Sequence, residues 1–248
     1  MTDATDATII VDPPHKPKSS EFARQLLAER VPGLGGRLTI RSEIPEAKGL
    51  ASSSADLVAT YRALVDAVPC LRMTADEVAR AMCCVEPSDA AMYEAHVAFA
   101  HRSGGWVRIL GHLPPARIAA VDTGGSVDSV SFNQRLAEFT PEDWREYTVL
   151  LERLGVAFAA RRLADVGAVA TRSAELAQER NPLPMFAELR EIAAWSGASG
   201  VIVTHSGTMA GLLVDCRQPR VLAMVMGALA PLGLPMAIHE IGRTDLPP

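Results

Sequence analysis

Three consecutive serines, Ser52, Ser53 and Ser54, follow Gly49 where a helix is predicted to begin. A strand, a glycine turn and a helix start together favour anion binding, because helix N-terminal N–H groups point at the ligand. Serine hydroxyls can also donate to phosphate oxygens or bind Mg²⁺. The stretch is neither G-x-x-x-x-G-K-[ST] nor G-x-G-x-x-G, so a phosphate site here is of another type. The alternative is a serine-rich helix cap without a ligand.

Two other kinds of chemistry are open to the residue types of this chain. A serine hydrolase would use one of Ser52–Ser54 as nucleophile and His205 or His96 as base, but the chain has no G-x-S-x-G elbow. A metal site would combine His96, His101 and Glu86, whose spacings of five and ten residues do not share one helical face. We therefore expect these histidines to be surface or hydrogen-bonded core residues.

The elements predicted around the serines are a strand before them and a helix after them. "RLTIRSEI" (Arg37–Ile44) alternates like a half-buried strand, and Ala55–Val68 carries its apolar residues on one helical stripe. Residues up to about Ser20 are expected to form a loose tail, and a short helix is predicted over Phe22–Val31. Thr74 is predicted to begin another helix with a capping box.

Strands and helices alternate in the rest of the chain without a regular βαβ rhythm, which favours an α+β fold. The predicted elements are strands at Trp106–Gly111 and Arg117–Gly125, a helical region from Pro141 to about Arg180 broken near Gly155 or Gly167, a helix over Met185–Trp195, two strands within Gly200–Asp215, a helix from Pro219 and a strand at Pro235–Ile241. The uncharged stretch Val221–Ile238 contains two prolines and a glycine in its second half. It therefore predicts a helix, a turn and a strand instead of a membrane span.

Composition excludes several classes of function. The 248 residues are 48% hydrophobic and 21% charged, with a net charge of −5, so we expect neither nucleic-acid binding nor a membrane partner. The first 20 residues carry acids and lack an apolar core, so we expect no signal peptide and a cytoplasmic location. The four cysteines have no C-x-x-C spacing, and we expect them to be reduced and mostly in the core.

Four stretches together resemble the GHMP kinase superfamily. They are Pro45-x-x-x-Gly49-Leu50-Ala51-Ser52-Ser53-Ser54-Ala55, Glu86-Pro87-Ser88-Asp89, Asp122–Asp128 followed by Phe132-Asn133, and Thr204-His205-Ser206-Gly207-Thr208. In motif detail they are most similar to the L-threonine kinases of that superfamily. The resemblance covers about Arg37 to Ile241.

The resemblance implies an α+β fold of two domains. These would be a ribosomal protein S5 domain 2-like ATP-binding part over residues 21–135 and a ferredoxin-like part over 136–248, after a loose tail at 1–20. Residues 1–44 contain no first GHMP motif, so the N-terminal part is expected to be abbreviated. A truncated sequence, a derived protein with altered chemistry, or a homodimer or partner chain completing the N-terminal sheet would each account for this.

The resemblance also implies a kinase that uses ATP and Mg²⁺ to phosphorylate the hydroxyl of a small molecule, such as the hydroxy amino acid L-threonine. Asp89 would be the catalytic residue, and Ser53 and Glu86 would bind the metal. Ser206, Gly207 and Thr208 would contact the substrate. The phosphates would lie on Lys48, Gly49, Leu50, Ala51, Ser52, Ser53 and Ser54. The roles of Asp122 and Asp128 stay open. The alternative is a non-catalytic relative that binds nucleotide or a partner subunit.

Overall fold

A computed structural model describes residues 8–127 and 139–242. The chain divides into two compact units. The first unit comprises residues 1–46 and 51–108, and the second comprises 47–50 and 109–248. The boundary therefore falls after Arg108 and not after residue 135. Of the predicted motifs, Asp128, Phe132 and Asn133 lie outside the described residues.

In its described residues, the first unit contains short strands and three α-helices in the order β1, α1, β2, α2, α3, β3. Their bounds are Ile9–Asp12, Pro17–Arg30, Gly36–Thr39, Ser52–Ala67, Ala75–Val85 and His96–Phe99. Strands β1 and β2 pair in parallel. Strand β3 pairs with β4, Val107–Gly111, in which the boundary between the units falls.

Residues predicted as a loose tail contain β1 and the first turn of α1. The β-branched run Ile9-Ile10-Val11 favours a strand, and Ile9 packs against the apolar core of this unit. Pro17, which lies in the stretch predicted to be a loose tail, occupies the first helical turn. A proline is tolerated there because the N–H that it lacks would have no intrahelical partner.

Strand β2 is shorter than predicted because its partner is short. After the Ile40 N–H, which donates to the Asp12 carbonyl at 2.8 Å, residues 41–47 are exposed. The core of the first unit is formed by α1, α2 and α3, with Phe22, Leu57 and Met82 fully buried. The predicted capping box at Thr74 is present, and α3 therefore begins where the sequence indicates.

The second unit is built on a four-stranded antiparallel sheet. Its strands β5, β6, β7 and β8 span Ala116–Asp122, Gly200–Val203, Met209–Asp215 and Met236–Ile241. They lie in the order β6-β7-β5-β8. This is the order of a β-α-β-β-α-β unit, so the predicted ferredoxin-like part is present.

Helices cover both faces of this sheet. Their bounds are Pro141–Ala159 for α4, Leu163–Gln178 for α5, Phe186–Ser196 for α6 and Pro219–Leu229 for α7. Along β5, Ala119 and Val121 contribute to the apolar cluster that includes α6 and α7, whereas Ala116 and Ile118 face α4 and the start of α5. Successive side chains of a strand point to opposite faces, and both faces of this sheet are apolar because each is covered by helices.

The predicted long helix from Pro141 to Arg180 is two helices, and neither glycine breaks it. The break lies at Ala160–Arg162, where Arg161 has a φ of 52°. Gly167 lies inside α5 for a packing reason, because a Cβ there would lie 2.1 Å from the Ser199 carbonyl oxygen. Helix α5 thus packs directly on the backbone at the start of β6.

The uncharged stretch Val221–Ile238 forms the greater part of α7, a short 3₁₀ turn and the beginning of β8, as predicted. Within 8–127 and 139–242, the structure has no helix that is both long and apolar enough to span a bilayer. All four cysteines are free thiols. Cys70 and Cys84 are exposed, so the prediction of mostly core thiols is wrong for these two.

Candidate functional site

The serines lie in the first turn of α2, as the sequence suggested. The residue before the helix, Ala51, has a left-handed conformation with a φ of 58°, and no side chain of the described residues caps the helix. The first intrahelical bond runs from the Ala55 N–H to the Ala51 carbonyl at 2.9 Å. The N–H groups of Ser52–Ser54 therefore have no intrahelical partner, and they favour an anion at this helix end.

Ser53 and Glu86 come together beside this helix end. The Ser53 hydroxyl donates a hydrogen bond to Glu86 Oε1, and the Lys18 ammonium donates to Oε2 of the same carboxylate. Glu86 is 5% exposed, so its charge depends on these two donors. The structure brings together the two residues that were predicted to bind a metal, and it adds a cation that was not predicted.

The loop that carries Asp89 is fixed to the same turn of α2. The Asp89 N–H donates to the Ser54 hydroxyl at 2.8 Å, and the Ser88 N–H donates to the His101 carbonyl at 2.9 Å. Ser54 is 3% exposed, whereas Asp89 is exposed. Ser54 therefore has a structural role in placing the Asp89 backbone next to the start of α2.

In the second unit, Gly49 packs against the turn between β6 and β7. Gly49 has a φ of 81°, and a Cβ there would lie 2.1 Å from the Ser206 carbonyl oxygen. A Cβ on Gly207, whose φ is 144°, would lie 2.2 Å from the Lys48 carbonyl oxygen. The Thr208 N–H donates to that carbonyl at 3.3 Å. Both glycines are required because the two backbones are in direct contact.

The Lys48 side chain is turned to Asp122, at the end of β5. Lys48 Nζ lies 2.7 Å from Asp122 Oδ2 and donates to the Gly125 carbonyl at 2.6 Å. Asp122 Oδ1 accepts from the Thr208 hydroxyl at 2.5 Å and from the Gly124 N–H at 3.0 Å. We refer to Lys48, Asp122, Gly124 and Thr208 as the Asp122 cluster.

The Asp122 cluster stabilises the ionised carboxylate. Burial by itself would raise the pKa of Asp122, but the hydrogen bonds from Lys48, Thr208 and the Gly124 N–H outweigh it. Together with the positive charge of Lys48 they lower this pKa below its usual value of 3.8. Lys48 was predicted to bind phosphate, but its ammonium is paired with the Asp122 carboxylate. The Thr208 hydroxyl, predicted to contact the substrate, donates to the same carboxylate.

In the first unit Lys16 is paired with two carboxylates, Glu46 in the segment before α2 and Asp56 on α2. Lys16 Nζ lies 2.6 Å from Asp56 Oδ2 and 2.5 Å from Glu46 Oε1. Burial alone would lower the pKa of Lys16, but its hydrogen bonds to the two carboxylates raise that pKa above 10.5. Lys16 therefore connects the exposed segment at Glu46 to the buried face of α2.

Sequence reasoning missed Lys16 and Lys18 because both fell in the supposed tail. The signal was present in "HKPKSS", where Pro17 sits between two lysines at a helix start. The sequence indicates Asp122 as the first residue of a D-T-G-G motif but gives it no role. Its partners Lys48 and Thr208 are 74 and 86 residues away, counted as 122 − 48 and 208 − 122.

Arg180, just after α5, is a further buried cation of the second unit. Its side chain is 10% exposed, one nitrogen donates to the Asp143 carboxylate, and the guanidinium lies 4.6 Å from the Phe139 ring. Nε and Nη1 are buried and have no hydrogen-bond partner within the described ranges. A guanidinium with two unused buried donors is a candidate site for an anionic group.

The alternative chemistries receive no support from the geometry. In the part of the chain that the structure describes, no three His, Cys, Asp or Glu side chains are placed to bind a metal ion, which excludes the site of His96, His101 and Glu86. The Ser53 hydroxyl donates to a carboxylate and the Ser54 hydroxyl accepts from a backbone N–H. A hydrolase nucleophile would instead donate to an imidazole.

Known proteins resemble this chain in both sequence and fold. The family profile for the GHMP kinases N terminal domain matches residues 19–100. An L-threonine kinase from Salmonella typhimurium strain LT2 is 28% identical over 201 residues, covering 78% of this chain and 64% of that protein. An L-threonine kinase from Citrobacter freundii is 27% identical over 189 residues, covering 72% of this chain and 62% of that protein. The chain thus spans slightly less than two thirds of the length of these curated relatives.

Among solved structures, a homoserine kinase from Cytophaga hutchinsonii aligns with a TM-score of 0.70 at 14% identity, covering 95% of this chain and 81% of that one. At that identity the likeness establishes the fold alone. The resemblance to the GHMP kinase superfamily that the motifs predicted is confirmed, and so is the α+β fold.

Proposed function

We propose that this chain, which resembles the GHMP kinases in motifs and fold, transfers the γ-phosphate of ATP to the hydroxyl of a small molecule. The observation that carries the proposal is the start of α2, where N–H groups that no described side chain caps lie beside the Ser53–Glu86 pair. The N–H groups would bind phosphate oxygens. Phosphoryl transfer depends mainly on positioning and charge neutralisation, which such a site supplies.

Ser53 and Glu86 are the residues that would bind Mg²⁺. A hydroxyl and a carboxylate are oxygen ligands of the kind that Mg²⁺ prefers, and a hydrogen bond already brings them together. Mg²⁺ typically takes only one or two protein oxygens and completes its coordination with water and phosphate, so the pair is sufficient. When bound, the ion would neutralise charge on the phosphates.

Asp89 is the residue that we propose for the acceptor hydroxyl. Its backbone is fixed to the first turn of α2 through Ser54, and its carboxylate is on the surface of the unit. In the reaction, the acceptor oxygen forms a bond to the γ-phosphorus while the bond from that phosphorus to the β–γ bridging oxygen breaks. The hydroxyl proton passes to Asp89, and ADP leaves.

The proposed acceptor is a hydroxy amino acid such as L-threonine. The names of the two sequence relatives, both L-threonine kinases, support this choice.

A non-catalytic nucleotide-binding relative is the second candidate. It is favoured because the described strands of the first unit lie in two-stranded sheets, as expected if the N-terminal ATP-binding part is abbreviated. Both candidates predict that Mg·ATP raises the melting temperature, because a ligand that binds the native state stabilises it. Only a kinase releases ADP in an acceptor-dependent reaction. The two candidates are therefore separated by turnover and not by binding.

The test is a coupled ADP-release assay with L-threonine, L-serine and L-homoserine, each with and without Mg²⁺. We expect ADP release that requires both Mg²⁺ and an acceptor. The analogue 1-amino-2-propanol, which lacks the carboxylate, should be a poorer acceptor by more than about tenfold, a loss on the order of 1.4 kcal/mol. A rise in melting temperature without acceptor-dependent ADP release would instead support the non-catalytic relative. No effect of ATP in either assay would contradict both.

A further inference from the structure

The motif Asp122-Thr123-Gly124-Gly125 has no role in the proposed chemistry, yet its first residue is the centre of the Asp122 cluster. The carboxylate accepts from three separate segments, namely the loop before α2 through Lys48, the β6–β7 turn through Thr208, and its own turn through the Gly124 N–H. Asp122 is 16% exposed in its side chain, so these donors replace most of its water.

We propose that Asp122 is a positioning residue that fixes the segment Lys48–Gly49 in the conformation that leads into the phosphate-binding start of α2. Lys48 serves this cluster and is not itself a phosphate ligand. The inference rests on the proposed ATP site for its functional consequence. Its structural content concerns only residues of the second unit.

The backbone geometry explains why one carboxylate has this effect. Gly49 and Gly207 place the Lys48 segment directly against the β6–β7 turn, and the Thr208 N–H donates a long hydrogen bond to the Lys48 carbonyl at 3.3 Å. Asp122 binds a side chain from each of these two segments, Lys48 on one and Thr208 on the other. Neutralising Asp122 would remove the charge-assisted contacts that connect them.

Lys48 is poorly suited to bind phosphate in this arrangement. Two of its three ammonium donors are occupied by Asp122 and the Gly125 carbonyl, at 2.7 Å and 2.6 Å. Moving the ammonium to a phosphate would leave a largely buried carboxylate without its main counter-ion, which is costly. If Lys48 nevertheless bound ATP, Asp122 would compete with the phosphates for it.

These two roles predict opposite signs for Asp122→Asn, which preserves the shape of the side chain. If Asp122 positions the loop, the dissociation constant of ATP rises by about tenfold, while the KM of the acceptor changes less than twofold. If Asp122 competes with phosphate for Lys48, the same variant binds ATP more tightly. Calorimetric titration with ATP measures the sign, and tighter or unchanged binding would overturn the proposal.

A double-mutant cycle adds a second criterion. Lys48→Met should weaken ATP binding to a similar extent as Asp122→Asn. The double variant should bind ATP no more weakly than either single variant, since both substitutions disrupt the same Asp122 cluster. Additive losses would show that Lys48 and Asp122 act separately. Asp165→Asn, which removes an exposed pair with Arg162 in the same unit, is the matched control and should leave ATP binding unchanged.

Amide hydrogen exchange without nucleotide separates this inference from the proposed function. The Thr208 N–H, which donates to Lys48, and the Val127 N–H, which donates to the Ala47 carbonyl at 3.0 Å, report on the loop directly. Both should exchange faster in Asp122→Asn than in the wild type. If wild-type protein bound no ATP, the proposed function would fail while this readout still tested the cluster. Unchanged exchange at both amides would overturn the proposal in either case.

Discussion

The stretch Lys48–Ser54, which we refer to as the phosphate-loop motif, has two halves that are fixed by different means. Lys48–Leu50, the glycine half, is placed by direct backbone contact with the β6–β7 turn and by the Asp122 cluster. Ser52–Ser54, the serine half, is the first turn of a helix whose hydroxyl groups contact the Glu86–Asp89 loop. The glycine half leaves no room for a side chain at Gly49, whereas the serine half leaves its N–H groups uncapped.

This difference suggests a division of labour within one short motif. Backbone contact cannot adapt to an added atom, so the glycine half determines the path of the chain. Hydroxyl and carboxylate groups can rotate to a new partner, so the serine half can exchange protein contacts for a metal or phosphate. We therefore expect substitutions in the glycine half to disturb binding and folding, and those near the serine half to disturb chemistry.

The largest expected effect is on turnover, from Asp89→Asn. Loss of the proton acceptor should lower kcat by about 10³-fold, in the range for general acid–base catalysis. The ATP dissociation constant should change less than about twofold, because the Asp89 contact to α2 is through its backbone N–H. Steady-state kinetics and calorimetry measure the two quantities. Asp66→Asn, an exposed position on α2, is the control, and equal kcat in both variants would remove Asp89 from the mechanism.

Gly49→Ala should give the largest loss of ATP binding. The added Cβ would lie 2.1 Å from the Ser206 carbonyl oxygen in a left-handed conformation, so the backbone must move. We expect the ATP dissociation constant to rise by about 10²-fold, as for a misplacement of about 1 Å in an active site, together with a lower melting temperature. Gly227→Ala within α7, where a Cβ meets nothing within 4 Å, is the matched control. Normal ATP binding by Gly49→Ala would contradict this account of the glycine half.

Ser53→Ala tests the metal role of the serine half. Removal of the hydroxyl should raise the Mg²⁺ concentration needed for half-maximal rate by about tenfold, within the range for loss of metal-site partners. The melting temperature should fall only slightly, because Glu86 loses one of its two donors and retains Lys18. Ser52→Ala should have a weaker effect, since the Ser52 side chain caps nothing within the described residues. An unaltered Mg²⁺ requirement in Ser53→Ala would exclude Ser53 as a metal ligand.

The smallest expected effect is the acid dependence of stability due to Asp122. Its pKa is lowered in the folded state, so its contribution is fully present above its unfolded pKa near 3.8. That contribution is lost as the pH falls through the lower folded pKa. The free energy of unfolding, measured in urea between pH 6 and pH 2, should therefore fall less steeply below pH 4 in Asp122→Asn. An identical slope in wild type and variant would contradict the stabilising role of the cluster.

Much of the fold was readable from local patterns, because those patterns were decided by local physics. The capping box at Thr74, the strands on either side of the β6–β7 turn and the start of α7 at Pro219 were predicted correctly. The errors occurred where tertiary contacts override local signals. Pro17 begins a helix that packs into the core, and Gly167 is required by close packing on β6.

The site was predictable only as far as its motifs were contiguous. Ser53 and Glu86 were expected to act together because of a family pattern, and the structure brings them into contact. Lys18 and the partners of Asp122 could not be found in this way, since no local rule connects residues that are 68 or 86 positions apart. Such pairings follow from sheet order and loop geometry, which single-sequence patterns do not encode.

The most direct test is a crystal structure with Mg²⁺ and a non-hydrolysable ATP analogue. We expect phosphate oxygens within about 3 Å of the backbone nitrogens of Ser52–Ser54, which is hydrogen-bonding distance. Ser53 and Glu86 should face the metal ion, and Lys48 should remain on Asp122. A triphosphate bound away from the start of α2, or protein atoms occupying those N–H groups, would contradict the proposed function.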